Sequence, residues 1–269
     1  MTDILVIGAT GKIGRHVVDQ LGTAARAFVR NPASANLPPG TQVVRGDLTE
    51  PASLPAVLDN VDAVFLLWPF ITADGADEII ETLSRHVRHI VYVSAVAAET
   101  GFWGDVEQLI AKSGVEWTFL RPGGFMSNTL MWAHQIRQGQ VRWPYGSLAR
   151  PLIHEADIAA VAVRALTENG HAGRTYELSG PERITQIEQV RIIGTAIGHP
   201  VRWEEISPDE GRQQLKAMWG DVSFVDSAMD AWAAMLDEPE AITHTVEEIT
   251  GRRAHTFGEW AREHAADFS

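Results

Sequence analysis

Seven residues decide the fold: Gly8-Ala9-Thr10-Gly11-Lys12-Ile13-Gly14. They follow an apolar run, residues 4–7, that is typical of a buried strand, and they precede an amphipathic segment, residues 15–21, that is typical of a helix. Glycines let the backbone turn sharply and approach a phosphate, and the N–H groups at the start of a helix attract negative charge. The stretch has the spacing G-x-x-G-x-x-G in place of G-x-G-x-x-G. It therefore predicts a site for the pyrophosphate of a dinucleotide.

The composition narrows the class of protein. The chain has 269 residues, of which 45% are hydrophobic and 21% charged, as in a globular protein. No apolar run reaches the roughly 20 residues that span a bilayer, and the first residues lack signal-peptide features, so we expect a cytoplasmic protein with no membrane partner. A formal net charge of −13 disfavours nucleic acid as a partner. The absence of cysteine excludes disulfides and thiolate chemistry.

Apolar strands alternate with helical segments over the first half of the chain. This alternation predicts an α/β fold with a doubly wound parallel sheet of the Rossmann type. The predicted strands are 3–8, 25–29, 42–44, 63–67, 90–94, 117–120 and 175–178. The predicted helices are 12–21, 51–59, 74–86, 104–113 and 185–197, the last one capped by Thr185 with Glu188 as its capping-box partner.

The regular alternation ends after Pro122, and tryptophan is frequent beyond it. We predict a dinucleotide-binding core formed by residues 1–124, with 150–198 returning to it. Residues 125–149 and 199–269 are predicted to form a smaller, mostly helical substrate-binding lobe over the carboxyl edge of the sheet, where ligands bind in open α/β sheets. Within this lobe, residues 200–245 are expected to be helical.

The end of the second predicted strand indicates which dinucleotide is favoured. A carboxylate there hydrogen-bonds the ribose and repels a 2′-phosphate, whereas arginine attracts that phosphate. The sequence has Arg30 at this point and no carboxylate, and Lys12 adds a second cation. NADP(H) is therefore favoured over NAD(H). The alternatives for Arg30 are a solvated loop charge and a guanidinium stacked on the adenine.

Three further strand ends are expected at the same edge of the sheet. Asp47 and Leu48 follow the third strand, where Asp47 can accept a hydrogen bond from the adenine amine or cap the next helix. Leu67 and Trp68 end the fourth strand, and Ser94 ends the fifth, near the expected ribose and nicotinamide. The predicted cofactor-binding residues are Gly8, Thr10, Gly11, Lys12, Ile13, Gly14, Arg30, Asp47, Leu48, Leu67, Trp68, Ser94 and Pro122.

Further motifs follow in order along the chain: Val29-Arg-Asn-Pro32, Gly46-Asp-Leu48, Val91-Tyr-Val-Ser94, Trp117-Thr-Phe-Leu-Arg-Pro-Gly123, Ile153-His-Glu-Ala-Asp-Ile158 and Tyr176-Glu-Leu-Ser-Gly-Pro181. With the glycine stretch, they resemble the NmrA-like group of atypical short-chain dehydrogenases/reductases over about residues 1–200. The resemblance implies a Rossmann-like fold that binds NAD(P)H. The group includes quinone reductases, isoflavone-reductase-like enzymes, natural-product tailoring enzymes and redox sensors that bind dinucleotide without turnover.

The helix after the fifth strand departs from the family pattern. Active members of the standard type carry a tyrosine and, four residues later, a lysine, which the resemblance places near Glu99 and at about Trp103. Neither residue type is present there. Because the alkoxide formed from a ketone needs a proton donor, this departure disfavours conventional ketone reduction.

Reduction of a quinone or a conjugated enone depends less on a proton donor, because delocalisation stabilises the reduced anion and a few hydrogen-bond donors suffice. The leading hypothesis is an NAD(P)H-dependent oxidoreductase that transfers hydride to a quinone-like or polycyclic aromatic small molecule without the Tyr-Lys pair. An aromatic substrate would also explain the nine tryptophans. The predicted substrate-pocket residues are Phe70, Trp103, Phe125, Met126, Trp132, Trp143 and Tyr145, with burial in a core as the alternative role for each.

Two residues are candidates for proton transfer. His154 has a side chain that titrates near neutral pH, and Ser94 aligns near the family serine. Two other functions stay open: a regulator that senses NAD(P) without turnover, and a tailoring enzyme that couples reduced cofactor to oxygenation of an aromatic substrate. No carboxylate cluster accompanies His86 and His89, so no metal site is expected. We expect a monomer or a homodimer.

Overall fold

The computed structural model describes residues 3–99, 101–220 and 222–269. Their strands are β1 (Ile4–Ile7), β2 (Ala25–Val29), β3 (Gln42–Arg45), β4 (Ala63–Leu67), β5 (His89–Val93), β6 (Glu116–Pro122), β7 (Gln140–Trp143), β8 (Ala149–Arg150), β9 (Arg174–Leu178), β10 (Ile184–Thr185) and β11 (Arg202–Glu205). Their α-helices are α1 (Lys12–Leu21), α2 (Ala76–His86), α3 (Phe102–Lys112), α4 (Ala133–Arg137), α5 (Glu155–Thr167), α6 (Gln186–Ala196), α7 (Pro208–Trp219), α8 (Val222–Asp237), α9 (Thr245–Thr250) and α10 (Phe257–Glu263).

Seven of the described strands form one sheet in the order β3-β2-β1-β4-β5-β6-β9. All pairs in it are parallel, and β1 is buried along its whole length, as expected where helices cover both faces. The order 3-2-1-4-5-6 is that of the doubly wound dinucleotide fold, so the predicted fold class is confirmed. The order reverses between β1 and β4. Ligands of such sheets bind outside the carboxyl ends of the strands at this point.

The chain divides into two compact units. The first contains residues 1–123, 155–178 and 244–253, and the second contains 124–154, 179–243 and 254–269. These units have other bounds than the predicted core and lobe. Residues 150–154 and 179–198 lie in the second unit, because β8 pairs with β10 and the apolar face of α6 joins that unit's core. Residues 244–253 lie in the first unit, because α9 contacts α5 and β9.

Two predicted elements differ from the structure. Residues 51–59 form two 3-10 turns, Pro51–Ser53 and Pro55–Val57, in place of the predicted helix. Proline lacks the N–H group of an α-helical ladder, and two prolines so close together interrupt it. Trp203, expected on a helix, lies on β11, which pairs with β7. Pro200 disfavours continuation of the helix into this segment.

Several predicted elements are confirmed. The helix that follows the glycine stretch spans Lys12–Leu21, as predicted. The helix predicted to start at Thr185 begins at Gln186, and Thr185 and Glu188 make both hydrogen bonds of the capping box. Among the described helices, none combines the length and the apolar character needed to cross a bilayer.

His89 on β5 is a buried titratable group of the first unit. Its imidazole Nε2 lies 2.9 Å from the hydroxyl of Thr118, and that hydroxyl donates to the His171 carbonyl at 2.7 Å. The imidazole N–H is therefore the donor to Thr118. Burial lowers the pKa of His89; the negative charge of Glu116 opposes this effect, and the positive charge of Arg88 adds to it.

We expect His89→Gln to reduce the loss of stability on acidification. Because the folded state holds His89 neutral, its contribution to stability is present above the ordinary pKa of 6.5 and is lost as the pH falls toward the lowered pKa of the folded state. Melting temperatures at about pH 7.5 and 5.5 bracket that ordinary value and measure the effect. The melting temperature of the natural chain should fall more on acidification than that of His89→Gln. The control His86→Gln changes an exposed histidine, and its melting temperature should fall as much as that of the natural chain. Equal losses in all three proteins would contradict the assignment.

Candidate functional site

The glycine stretch forms a tight turn between β1 and α1 in the first unit. Gly8 has a positive φ of +88°, and the N–H of Gly11 donates to its carbonyl oxygen at 2.9 Å. A Cβ atom at Gly8 would lie 2.9 Å from the Cβ of Leu67, and one at Gly14 would lie 2.1 Å from the Gly8 carbonyl oxygen. Only glycine fits at these two positions. Without side chains there, the backbone of the turn can come close to a bound pyrophosphate.

The start of α1 is suited to an anion. The helix begins at Lys12, Gly11 supplies no side-chain cap, and its first turn contains no acidic residue. The first N–H groups of a helix have no intrahelical partner, and the helix dipole places positive charge at the same end. Ile13 is buried and anchors this turn, whereas Thr10 and Lys12 are exposed. The residues present thus fit a dinucleotide pyrophosphate.

Arg30 and Asp47 follow the carboxyl ends of β2 and β3. The N–H of Thr49 donates to the Asp47 carboxylate at 3.0 Å and is the main cause of a lowered Asp47 pKa, with smaller contributions from the Thr49 hydroxyl and the positive charge of Arg30. Asp47 is therefore ionised at neutral pH. Arg30 is exposed, and Leu48 is buried in the core of the first unit. A cation and a carboxylate thus stand at this sheet edge.

The ends of β4, β5 and β6 place the other predicted cofactor residues. Leu67 is half-buried against the glycine turn. The indole of Trp68 is buried and donates to the Thr72 carbonyl at 2.7 Å, so it stabilises its own loop. The hydroxyl of Ser94 is buried and has no hydrogen-bond partner among the described residues. Pro122 is buried, and its carbonyl accepts from the Val96 N–H at 3.3 Å.

The region of the absent Tyr-Lys pair contains an ion pair. Trp103 lies in the first turn of α3, and its half-buried ring contacts Phe102 at a centroid distance of 4.2 Å. Further along α3, the buried carboxylate of Glu107 accepts two hydrogen bonds from Arg121 on β6, at 2.9 and 2.6 Å. Glu107 thus joins α3 to the sheet through Arg121. It supplies neither the phenol of the family's tyrosine nor the ammonium group of its lysine.

The second unit contains a cavity of about 270 Å³. Four indoles form much of its wall and contact one another edge to face or at a tilt: Trp143 with Trp132 at 6.2 Å and with Trp232 at 6.5 Å, and Trp219 with Trp232 at 6.4 Å. The lining residues are Asn128, Thr129, Met131, Trp132, Trp143, Leu148, Arg150, Leu152, Gln186, Gln189, Trp219, Phe224 and Trp232.

Arg150 is the charged residue among the described residues of this lining. Its Nε and Nη2 donate to the two carboxylate oxygens of Glu240 at 2.6 and 2.8 Å, and both side chains are mostly buried. A bidentate pair of this kind neutralises both charges. The cavity is therefore apolar and close to neutral.

The predicted substrate-pocket residues occupy different places. Trp132 and Trp143 line the cavity. Met126 is buried in the core of the second unit, Phe125 forms a backbone bridge to Ile153, and Tyr145 lies in a turn with a positive φ of +63°.

Phe70 and Trp103 belong to the first unit, where Phe70 packs edge to face on Trp68 at 5.1 Å. The cavity also has lining residues that were not predicted from the sequence: Trp219, Phe224, Trp232, Gln186 and Gln189. The two glutamines lie three positions apart on α6, and this spacing places them on one helix face.

His154, a candidate for proton transfer, is 1% exposed. Its Nε2 lies 3.1 Å from a carboxylate oxygen of Glu263, and the ring of His255 is 4.9 Å away between centroids. Its surroundings are those of a histidine held in the interior of the second unit. Its role in catalysis stays a prediction, as does that of Ser94. Within the described ranges, no group of three or more histidine or carboxylate side chains could hold a metal ion.

Comparisons with known proteins agree with this geometry. A family model described as NAD(P)H-binding matches residues 8–169. The (4-alkanoyl-5-oxo-2,5-dihydrofuran-3-yl)methyl phosphate reductase of Streptomyces griseus is 38% identical, and the match covers 99% of both chains. The NAD(P)H azoreductase of Xenophilus azovorans is 37% identical over 98% of this chain and 99% of its own length. An NADPH-dependent quinone oxidoreductase of Escherichia coli, complexed with NADPH, superposes with a TM-score of 0.80 at 25% identity, over 97% of this chain and 99% of that chain.

Proposed function

The chain belongs to the NAD(P)H-binding family, in agreement with the predicted resemblance, and we propose that it is an NADPH-dependent reductase of uncharged, conjugated aromatic compounds such as quinones. The single observation that carries the substrate class is the indole-lined cavity of the second unit. Its volume of about 270 Å³ is just below the usual range for ligand pockets, roughly 300–1,000 Å³, and suits a molecule of two or three fused rings. Azo compounds and quinones, named for two of the similar proteins, are flat and conjugated.

Charge supports the same class of substrate. Because Glu240 neutralises Arg150, the described lining of the cavity offers no free cation to a phosphate or carboxylate. Burial of an unpaired charge is costly, so a neutral acceptor is favoured over an anionic one. The named substrate of the Streptomyces griseus relative is a phosphate ester, and on this argument it is a poor substrate for the present chain.

Bound NADPH would supply the hydride. The glycine turn and the start of α1 would hold the pyrophosphate, and Arg30 would pair with the 2′-phosphate. No tyrosine or lysine stands at the positions where the family places its proton-donating pair. A substrate whose reduced anion is delocalised is therefore preferred to a simple ketone.

The Arg30→Ala variant should raise the KM for NADPH about tenfold to a hundredfold and leave the KM for NADH within about threefold, because a charge-assisted hydrogen bond contributes about 1.5–3 kcal/mol. Steady-state kinetics with both cofactors at a fixed quinone concentration measure the two values. Arg174→Ala is the control: this arginine begins β9 and lies at the opposite end of the strands, so neither KM should change. Equal effects of Arg30→Ala on the two cofactors would refute the preference for NADPH.

Oxidation of NADPH with a panel of acceptors tests the proposed function. The panel contains a naphthoquinone, an azo dye, a conjugated lactone with and without a phosphate ester, and a saturated ketone, with heat-denatured protein as the background. We expect turnover with the quinone or azo dye and none with the ketone or the phosphate ester. Binding of NADPH without oxidation by any acceptor would favour a sensing regulator. Oxygen uptake that matches NADPH consumption would favour an oxygenating enzyme.

A further inference from the structure

Two glutamines in the cavity of the second unit have fixed orientations. Gln186 and Gln189 are buried on α6, and both line the cavity. The amide nitrogen of Gln186 donates to the carbonyls of Pro144 and Tyr145 at 3.1 and 2.7 Å. That of Gln189 donates to the Ile184 carbonyl at 3.3 Å. A carbonyl can only accept, so these partners fix which end of each amide is the NH₂ group.

The amide oxygens are consequently the ends of these two side chains that are left for the cavity. Neither oxygen accepts a hydrogen bond from any residue in the described part of the chain. The indole N–H of Trp132, on the same wall, is a donor, but no residue in the described ranges pairs with it, so it does not satisfy either glutamine. Neither oxygen is among the fully buried side-chain atoms of the described residues that lack a partner, so water reaches both of them in the cavity. A ligand that displaces this water keeps the hydrogen bond only if it supplies a donor of its own.

We infer that the cavity selects neutral aromatic compounds that carry an O–H or N–H group on the ring, such as phenols, hydroxyarenes and aromatic amines. The indoles contact the ring faces, and Gln186 and Gln189 accept the hydrogen bonds. This inference rests on the proposed function, which makes the cavity the substrate site. It adds that an arene with a donor group binds more tightly than the same arene without one. Hydroquinones and anilines, which carry such donors, are then bound more tightly than quinones and azo compounds.

A matched pair of ligands tests the selection directly. Equilibrium dialysis without cofactor compares 2-naphthol with 2-methoxynaphthalene, which differ in the donor, at about pH 7, where a phenolic hydroxyl is protonated. We expect 2-naphthol to bind about threefold to tenfold more tightly, the effect of one hydrogen bond to an uncharged acceptor. Equal affinities, or no binding of either compound, would overturn the inference.

Gln189→Met identifies the acceptor. This variant keeps the length of the side chain and removes the amide, and the ratio of the two affinities should fall to about half of its value in the natural chain or lower. Gln213→Met makes the same change at an exposed position on α7 and should leave the ratio unaltered. An unaltered ratio in a folded Gln189→Met would refute the assignment. If that variant does not fold, the ligand pair with the natural chain still decides the question.

The two proposals fail separately. Dialysis needs neither NADPH nor turnover, so a donor preference without any acceptor being reduced would contradict the proposed reductase and not the selection. Turnover of quinones without a donor preference would contradict the selection and not the reductase.

Discussion

Gly14→Ala should weaken NADPH binding by at least about a hundredfold, or about 3 kcal/mol. A Cβ atom at position 14 would lie 2.1 Å from the carbonyl oxygen of Gly8 and 2.7 Å from its carbonyl carbon. These are backbone atoms and cannot rotate away, so either the turn or α1 must shift. The N–H groups that would meet the pyrophosphate then lose their positions. We also expect the free energy of unfolding to fall by about 1–3 kcal/mol, as for other overpacked sites.

Fluorescence titration with NADPH measures this affinity, and urea denaturation measures the stability. Gly258→Ala is the matched control. Its nearest neighbour would be the end of the flexible Arg262 side chain at 3.7 Å, and it lies in α10, where alanine is favoured over glycine by at most about 1 kcal/mol. The control should bind NADPH as the natural chain does. A Gly14→Ala protein with unchanged affinity would show that the pyrophosphate does not contact this turn.

Arg121→Met should lower the free energy of unfolding by about 3–5 kcal/mol. The side chain of Glu107 is 8% exposed, and Arg121 supplies two hydrogen bonds to it. Removal of the arginine leaves a buried carboxylate without its cation. Urea denaturation at neutral pH measures the loss.

Two comparisons make this prediction specific. Arg85→Met breaks the exposed pair with Glu81 on α2 and should change stability by no more than about 1 kcal/mol. The double variant Arg121→Met/Glu107→Leu should recover most of the loss, because it removes the buried charge as well. If the double variant were as unstable as Arg121→Met alone, the loss would come from packing and not from the uncompensated carboxylate.

Local patterns were sufficient to predict the first unit. Its central strands are continuous apolar runs bounded by turns, and its first helix follows a glycine turn, so periodicity alone indicated most element bounds. The capping box at Thr185 was likewise predictable, because both of its partners lie within one helical turn. The helix predicted at 51–59 does not form, because Pro51 and Pro55 interrupt the hydrogen bonds of an α-helix.

The cavity of the second unit could not be predicted in the same way. Trp132, Trp219 and Trp232 come from separate elements, and nothing in their spacing along the chain indicates that they share a wall. Which end of each glutamine faces the cavity depends on the carbonyls of a turn at Tyr145 and of β10, which only the fold brings near. Trp143 and Met126 were both predicted as pocket residues from their residue types. Trp143 lines the cavity, whereas Met126 is buried in the core, so residue type alone does not separate the two environments.

The position of β9 has a consequence for protein synthesis. This strand forms the edge of the sheet and covers β6, yet the chain passes through a long segment of the second unit between the two strands. During translation, the backbone edge of β6 stays unpaired until residues 174–178 have left the ribosome, and an open edge of this kind favours association with other chains. Nascent chains that stall before β9 should therefore be the species most dependent on chaperones.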